Sequence, residues 1–303
     1  MEDLNAPAPE EHAAYDRLNT ALQARFAWAL LHQLAERGMQ MAFEKALNAI
    51  AASDGLQAKF SFMGCKKLTE GMVGQLARSL PRRLQHLSVD FSGCIALGEK
   101  AMRSLVGSIV GLRQLESLRL ACEGCVSITD AAAQSLAKAV AQLPQLTLLD
   151  VNLSGCPDVG DACLEAFGSS VALLQQLSLL SLLCADCGVS QRGICGLASG
   201  IRGLPKLAHI HLSFHGCVNV GDVGVKALGE AVGTLGQLES ARLDVEGCVV
   251  PVDRRTPVGS AAIARGLLGL QSLSLVDLRL QESWIHAEGR ADIAAKLAHH
   301  RGR

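Results

Sequence analysis

Two pairs of cysteines have the spacing that suits zinc binding or disulfide exchange. Cys122 and Cys125 are separated by two residues, and so are Cys184 and Cys187. The C-x-x-C spacing is common to metal sites and to redox sites. The chain contains 11 cysteines, so the chemistry of these two pairs depends on where the other cysteines lie in the sequence.

A group of histidines is the second candidate for chemistry. His211 and His215 project to the same face of an extended segment, but four residues separate them by about 13 Å. One metal ion cannot bind both. His215 can lie beside Glu246 of the next strand, but two such ligands make a poor metal site. We therefore expect no metal and no cofactor, and we interpret these histidines as part of a polar binding surface.

Seven of the cysteines recur at nearly constant spacing along the chain. The steps between them are 29, 31, 31, 31, 30 and 31 residues, and glycine precedes all but one of them, where Asp186 takes its place. The regularity indicates an internal repeat, and it assigns the second cysteine of each C-x-x-C pair to that repeat. These cysteines are Cys65, Cys94, Cys125, Cys156, Cys187, Cys217 and Cys248.

Each repeat contains one strand and one helix. Upstream of the cysteine, the pattern L-x-x-L-x-L-x-φ-x-G-C, where φ is apolar, alternates with period two, which is typical of a half-buried strand. Downstream, Ala133, Leu136 and Val140 are spaced by three and four residues, as in an amphipathic helix. Asp130 and its equivalents in other units, Asp161 and Asp222, stand where a carboxylate can cap the helix that follows them.

The repeat resembles the leucine-rich repeat, and among its subtypes the cysteine-containing one, in which C-x-x-I-T-D is typical. Cys125 to Asp130 reads C-V-S-I-T-D, and the resemblance extends from about Leu56 to Leu280. It implies an α/β leucine-rich-repeat solenoid, a horseshoe with a parallel β-sheet on the concave face and helices on the convex face. The unit of about 31 residues exceeds the usual 20–29, and we attribute the excess to a longer strand.

The repeat gives the C-x-x-C cysteines a structural interpretation. Cys122 and Cys184 occupy the inward φ position, which Phe91, Leu153 and Phe214 occupy in other units. Buried thiols among leucines behave as small apolar groups with raised pKa values. We therefore predict a column of reduced, slowly reacting thiols and no catalytic residues.

The two ends of the chain depart from the repeat and predict further segments. We expect a disordered tail at residues 1–11, a helical N-terminal cap at 12–54, a solenoid of about eight units at 55–285, and a C-terminal helical cap and tail at 286–303. The last unit is aligned on Leu275, Leu278 and Leu280, which puts Ile285 where the cysteine should be. Arg254 and Arg255 are interpreted as solvated loop charges.

The strand residues between the buried leucines should line the concave face in columns. These columns vary from unit to unit, and a varied surface on a rigid stack suits a protein ligand. In the column that contains Arg242, the alignment places Arg279 in the last strand. We predict that the contact patch for a protein partner consists of Asp150, Asn152, Leu183, His211, His215, Arg242, Asp244 and Glu246.

Composition bears on the class of partner. The chain has 28 Lys and Arg against 29 Asp and Glu, which gives no electrostatic reason to expect nucleic acid or an anionic membrane. The N-terminus lacks the layout of a signal peptide, and no apolar stretch reaches the length of a membrane span. We expect a cytoplasmic scaffold or adaptor that binds a protein partner, with no enzymatic activity and no small-molecule substrate.

Two alternatives follow from the resemblance. Cysteine-containing leucine-rich repeats often occur in the substrate-recognition subunits of ubiquitin ligases, which carry an F-box beginning with a Leu-Pro signal that residues 12–52 lack. One family of activators of small GTPases is also built on this fold, so a regulator of a small GTPase is the other alternative. That role requires an arginine or asparagine on the rim of the solenoid, and the sequence singles out none.

Overall fold

The computed structural model describes residues 27–51, 56–217, 219–248 and 258–279. Two helices come first, and then strands and helices alternate to the end of this part of the chain. The elements in order are α1 (Ala27–Glu36), α2 (Gln40–Ala51), β1 (Gln57–Ser61), α3 (Glu70–Ser79), β2 (His86–Asp90), α4 (Glu99–Ile109), β3 (Ser117–Ala121), α5 (Asp130–Val140), β4 (Leu148–Asn152), α6 (Asp161–Val171), β5 (Leu179–Leu183), α7 (Gln191–Ile201), β6 (His209–Ser213), α8 (Asp222–Val232), β7 (Ser240–Asp244), α9 (Val258–Gly269) and β8 (Leu275–Arg279).

The strands form one parallel sheet in which sequence order and spatial order are the same, from β1 to β8. In the part of the chain that the structure describes, one helix lies between each pair of consecutive strands, so the chain advances by one unit per turn. Because strands pair about 4.8 Å apart and helices pack about 8–10 Å apart, the stack curves with the sheet on the inside. The predicted fold class, an α/β leucine-rich-repeat solenoid, is confirmed, while the cysteine-containing subtype stays a prediction.

The core lies between the sheet and the helices. From β2 to β7 the second and fourth residues of each strand are buried, as with Leu118 and Leu120 of β3. Phe43 of α2 packs against Phe62, and Phe62 stacks on Phe91 with ring centroids 5.7 Å apart. The helices that precede β1 therefore cover the apolar end of the first unit.

The turns after β1 to β7 depend on a left-handed backbone conformation. Gly64, Gly93 and Gly124 have φ between 68° and 72°, and Asp186 takes the same place with φ of 52°. Only glycine adopts this region without steric cost. The parallel ladder also continues beyond the assigned five-residue strands, because the N–H of Phe91 donates to Ala121 and the N–H of Gly93 donates to Glu123, both at 2.7 Å. The longer strand expected from the repeat length stays a prediction.

The turn cysteines connect neighbouring units. The Cys125 thiol donates a hydrogen bond to the carbonyl oxygen of Phe91 in the preceding unit at 3.1 Å. Because a thiol is small and still carries a donor, it fits a buried position beside a backbone carbonyl that would otherwise lack this partner. The same bond to the preceding unit is made by Cys94, Cys125, Cys156, Cys187, Cys217 and Cys248.

The helix-start aspartates also connect units, which corrects the predicted cap. Asp130 is the first residue of α5, but its carboxylate accepts hydrogen bonds from the N–H groups of Gly160 and Cys163, at the start of α6 in the next unit. Asp161 and Asp222 make equivalent bonds to the helices that follow them. The prediction that each aspartate caps its own helix is therefore wrong, because the free N–H groups of the next helix lie within reach of its carboxylate.

The register of the last strand differs from the sequence alignment. Arg242 of β7 is paired with Asp277, and Asp244 is paired with Arg279. The alignment on Leu275, Leu278 and Leu280 is therefore displaced by two residues, and the prediction that Arg279 shares a column with Arg242 is wrong. The buried Leu273 occupies the position of Leu238 in the preceding unit. The sequence alignment is displaced here because the last unit has no cysteine that fixes its register.

Several predictions concern residues outside the described ranges. These are the tail at residues 1–11, the loop charges Arg254 and Arg255, the position of Ile285, and the cap at residues 286–303. The division of the chain into four segments therefore stays a prediction. Within the ranges that the structure describes, none of the helices has both the length and the apolar character needed to cross a membrane.

Candidate functional site

Two rows of side chains run across the exposed face of the sheet. The third residue of each strand forms what we name the central row, and the fifth forms the outer row. Eight strands about 4.8 Å apart give each row a length of about 34 Å. The central row is Lys59, Ser88, Arg119, Asp150, Ser181, His211, Arg242 and Asp277, and the outer row is Ser61, Asp90, Ala121, Asn152, Leu183, Ser213, Asp244 and Arg279.

The structure places the residues of the predicted contact patch on four adjacent strands, β4 to β7. The central row contributes three of them, the outer row contributes three, and the turns after β6 and β7 contribute two. They extend across about 14 Å of the sheet, the width of three strand spacings. In that order they are Asp150, His211 and Arg242, then Asn152, Leu183 and Asp244, then His215 and Glu246.

The middle of this patch is a depression. Ser181 of the central row is 6% exposed and Ser213 of the outer row is 9% exposed, because both side chains are short and their neighbours across the sheet are longer. Leu183, expected to be exposed, is half-buried beside Ser213 and Asn152. The patch therefore has a sunken centre that offers hydroxyl groups and one apolar side chain.

Arg242 and Asn152 of the patch already have side-chain partners. The Nε of Arg242 lies 3.1 Å from a carboxylate oxygen of Asp277, and the amide of Asn152 donates to Glu123 at 3.1 Å. The sequence alignment missed Asp277 because of the displaced register of β8. Glu123 occupies the same position after β3 as Glu246 does after β7. Because Glu246 belongs to the predicted contact patch, this shared position was a signal that Glu123 lies on the same surface.

Three residues of the patch converge at the edge of the sheet where the strands end. The Nδ1 atom of His215 lies 3.8 Å from Oδ1 of Asp244, and that oxygen accepts a hydrogen bond from the N–H of Glu246 at 3.1 Å. One ligand atom from each of the three side chains lies within 4.8 Å of the others. From the sequence, only His215 and Glu246 were expected side by side; Asp244 joins them because the N–H of Glu246 holds its carboxylate at the same edge.

The electrostatic environment of His211 favours its neutral form. Partial burial lowers the pKa of His211, and the positive charge of Arg242 on the adjacent strand lowers it further. Both effects favour the neutral imidazole, which presents one donor and one acceptor to a ligand.

The C-x-x-C thiols lie beneath the sheet and away from the patch. Cys122 and Cys184 are fully buried. Hydrogen bonds with Cys125 and Cys187, together with burial, raise the pKa of both far above its usual value. The same hydrogen bonds lower the pKa of Cys125 and Cys187, but these thiols are also buried. Slow reaction of the buried thiols stays a prediction.

Comparisons with known proteins give no family assignment. No family model matches the chain, and no curated protein matches it. Among solved structures, the chain is similar to "Leiomodin-1 Actin-Binding Site 2 (ABS2)" at 14% identity and a TM-score of 0.41, covering 56% of this chain and 88% of that one. It is also similar to a chain of "Crystal structure of Rad7 and Elc1 complex in yeast" at 15% identity and a TM-score of 0.32, covering 89% of this chain and 81% of that one. Values this low carry no argument about function.

Proposed function

We propose that this chain is a scaffold or adaptor that binds a protein partner through the exposed face of its sheet. The observation that supports this proposal is the contrast between the two faces of the strands. From β2 to β7 the buried face is apolar in every unit, with Leu149 and Val151 of β4 as an example. The exposed rows change in charge and size from strand to strand. Packing requires the first pattern but not the second, which is the arrangement found on binding surfaces of repeat proteins.

The patch from β4 to β7 has the composition of an interface. Protein interfaces combine a desolvated centre with a polar rim. Here the half-buried Leu183 and the depression at Ser181 and Ser213 form the centre. The Arg242–Asp277 pair lies at the rim with both side chains partly exposed. Such a pair contributes little to stability. The fold therefore does not require these charges, and they can favour one partner over another.

Binding rather than catalysis fits the position of the nucleophilic groups. The thiols of both C-x-x-C pairs lie under the strands, so a substrate on the sheet surface does not reach them. We therefore keep the proposal that the chain is not an enzyme. The role in a ubiquitin ligase, the regulation of a small GTPase and the cytoplasmic location stay predictions, and the identity of the captured partner separates the first two.

Affinity capture with charge-reversed variants tests the proposal. The Arg242→Glu/Asp244→Lys variant reverses two charges of the patch and leaves the net charge unchanged. The matched control is Glu99→Lys/Arg103→Glu on α4, because these residues form an exposed ion pair on the helical side of the solenoid. We expect a partner, identified by mass spectrometry, to be retained by wild type and by the control and to be lost from the patch variant.

The same experiment can contradict the proposal. A partner retained by the patch variant and lost from the control would move the binding surface to the helices. An identical set of partners for all three proteins would remove the patch as the binding site. Circular dichroism of each variant, which should match wild type, shows that a lost partner does not result from unfolding.

A further inference from the structure

The cluster of His215, Asp244 and Glu246 brings an imidazole and two carboxylates to one point on the surface. His215 lies in the turn after β6, Asp244 ends β7, and Glu246 lies in the turn after β7. Their ligand atoms lie within 4.8 Å of one another. We propose that these three residues bind one divalent transition-metal ion, for which Zn²⁺ is the best fit. This site goes beyond the proposed function, which requires no metal.

Asp244 is held in position before an ion binds, and His215 lies beside the neighbouring turn. The Asp244 side chain is only 15% exposed, and the N–H of Glu246 fixes one of its carboxylate oxygens at 3.1 Å. The ring of His215 lies against the turn at Gly247, where a Cβ would be 3.5 Å from the ring atom Cε1. A carboxylate oxygen that accepts one hydrogen bond still has a lone pair for a metal ion, and a fixed ligand loses little conformational entropy when the ion binds.

One of the three ligand separations is already close to that of a zinc site. Bonds of 2.0–2.1 Å in a tetrahedral site separate the ligand atoms by about 3.3 Å. His215 and Asp244 are already 3.8 Å apart, so they must approach by about 0.5 Å. Glu246 is exposed, and its side chain can turn toward the other two without disturbing the core.

The charges of the cluster are not neutralised by neighbouring cations. Among the described residues, no lysine or arginine forms an ion pair with Asp244 or Glu246. Arg242 and Arg279 both turn to Asp277 instead, at 3.1 and 4.0 Å. A divalent cation therefore meets two unneutralised carboxylates.

The donor set selects among metals. Imidazole nitrogen favours zinc and its transition-metal neighbours, whereas magnesium and calcium prefer oxygen ligands alone. Three protein ligands leave at least one coordination position open to water or to a group of another molecule.

The equivalent positions elsewhere in the array provide a matched control. One of these sets is Glu123, Asn152 and Ser154, which offers one carboxylate and no imidazole. Glu123→Gln therefore removes the same charge at the same place in the repeat as Glu246→Gln, but away from the cluster.

Calorimetric titration of the full, reduced chain with ZnCl₂ tests the proposal. We expect wild type and Glu123→Gln to bind one equivalent with equal affinity. His215→Ala and Glu246→Gln should each weaken binding by more than about tenfold, since even the loss of a residue behind the ligands costs 10–100-fold. Both changes lie on exposed side chains, and unchanged circular dichroism confirms that the fold is retained.

Titration with Co²⁺ identifies the ligands, because thiolate ligation adds an intense near-ultraviolet charge-transfer band that nitrogen and oxygen ligands do not produce. We expect visible d–d bands without that band, and we expect His215→Ala to abolish them. Absence of Zn²⁺ uptake, equal affinity in all variants, or a thiolate band that survives His215→Ala would each overturn the assignment of the ion to this cluster.

Discussion

Helices α6 and α7 approach so closely at Gly200 that a methyl group there would overlap the facing backbone. A Cβ on Gly200 would collide with the carbonyl oxygen of Gly168 and lie 2.5 Å from its Cα atom. Carbon atoms in ordinary contact are about 3.5–4.0 Å apart. The Gly200→Ala substitution therefore requires the two helices to separate by about 1 Å or more, because backbone atoms cannot turn away as a side chain can.

The expected cost is the balance of two opposing effects. Replacing glycine by alanine within a helix stabilises it by about 0.5–1 kcal/mol when space is available. Overpacking a filled interior costs about 1–3 kcal/mol, and separation of α6 from α7 also loosens the contacts around Phe167 and Leu197, which are fully buried. We expect Gly200→Ala to lower the free energy of unfolding by about 1–2 kcal/mol.

Gly107 of α4 provides the matched control. It is exposed, and a Cβ there would meet nothing within 4 Å. We expect Gly107→Ala to raise the free energy of unfolding by about 0.5–1 kcal/mol. Urea unfolding followed by circular dichroism measures both variants against wild type. If Gly200→Ala proves as stable as Gly107→Ala, the helices are not in the contact that the structure shows and the reasoning is refuted.

Three further predictions concern the thiols and the turns. In native protein at pH 8, a maleimide should rapidly label Cys195 alone among the described cysteines, because it is the one thiol among them that is not buried. By contrast, burial raises the pKa of a thiol such as Cys156 to about 12, so only about 10⁻⁴ of it is thiolate at this pH. Rapid labelling of the Cys195→Ser variant, measured by mass spectrometry, would contradict this prediction. Asp186→Gly should raise the midpoint of urea unfolding, since it relieves a φ of 52° that costs about 1 kcal/mol, and an unchanged midpoint would mean that the turn carries no strain. Asp130→Ala should lower the free energy of unfolding by about 1–2 kcal/mol, because it removes the cap of α6. The control is Asp158→Ala at an exposed position, where we expect a change within about 0.5 kcal/mol. Equal losses of stability in the two variants would contradict the role of the cap.

The repeat explains why the fold could be predicted from the sequence. Each unit repeats the same requirement for buried leucines and for the turn cysteine, so an error in one unit is corrected by its neighbours. The register from β1 to β7 follows from the cysteine positions because each strand ends at a fixed distance from its cysteine. The contacts of the thiols could not be predicted, since their acceptors belong to the preceding unit.

The error in β8 has a specific physical cause. Successive side chains of a strand point to opposite faces, so a displacement of one residue would expose the apolar face, whereas a displacement of two residues preserves it. Both alignments therefore place apolar residues on the buried face. Hydrophobic periodicity cannot distinguish them, and Leu273 became identifiable as the first buried position only through the pairing of Arg242 with Asp277.

The candidate site was predictable in its rows but not in its clusters. Alternation along a strand gives the face of each side chain, and so the sequence placed Asp150 and His211 on the exposed surface. The cluster of His215, Asp244 and Glu246 depends on the conformation of two turns and on a hydrogen bond between the last two residues. The same hydrogen bond recurs between Ser92 and Asp90 and between Ser154 and Asn152. Among the described residues, however, only these two turns bring an imidazole and two carboxylates together, and the repeat contains no information about that combination. In a repeat protein, the interactions that differ between units are therefore those that sequence periodicity does not predict, and they are also the interactions that can distinguish one ligand from another.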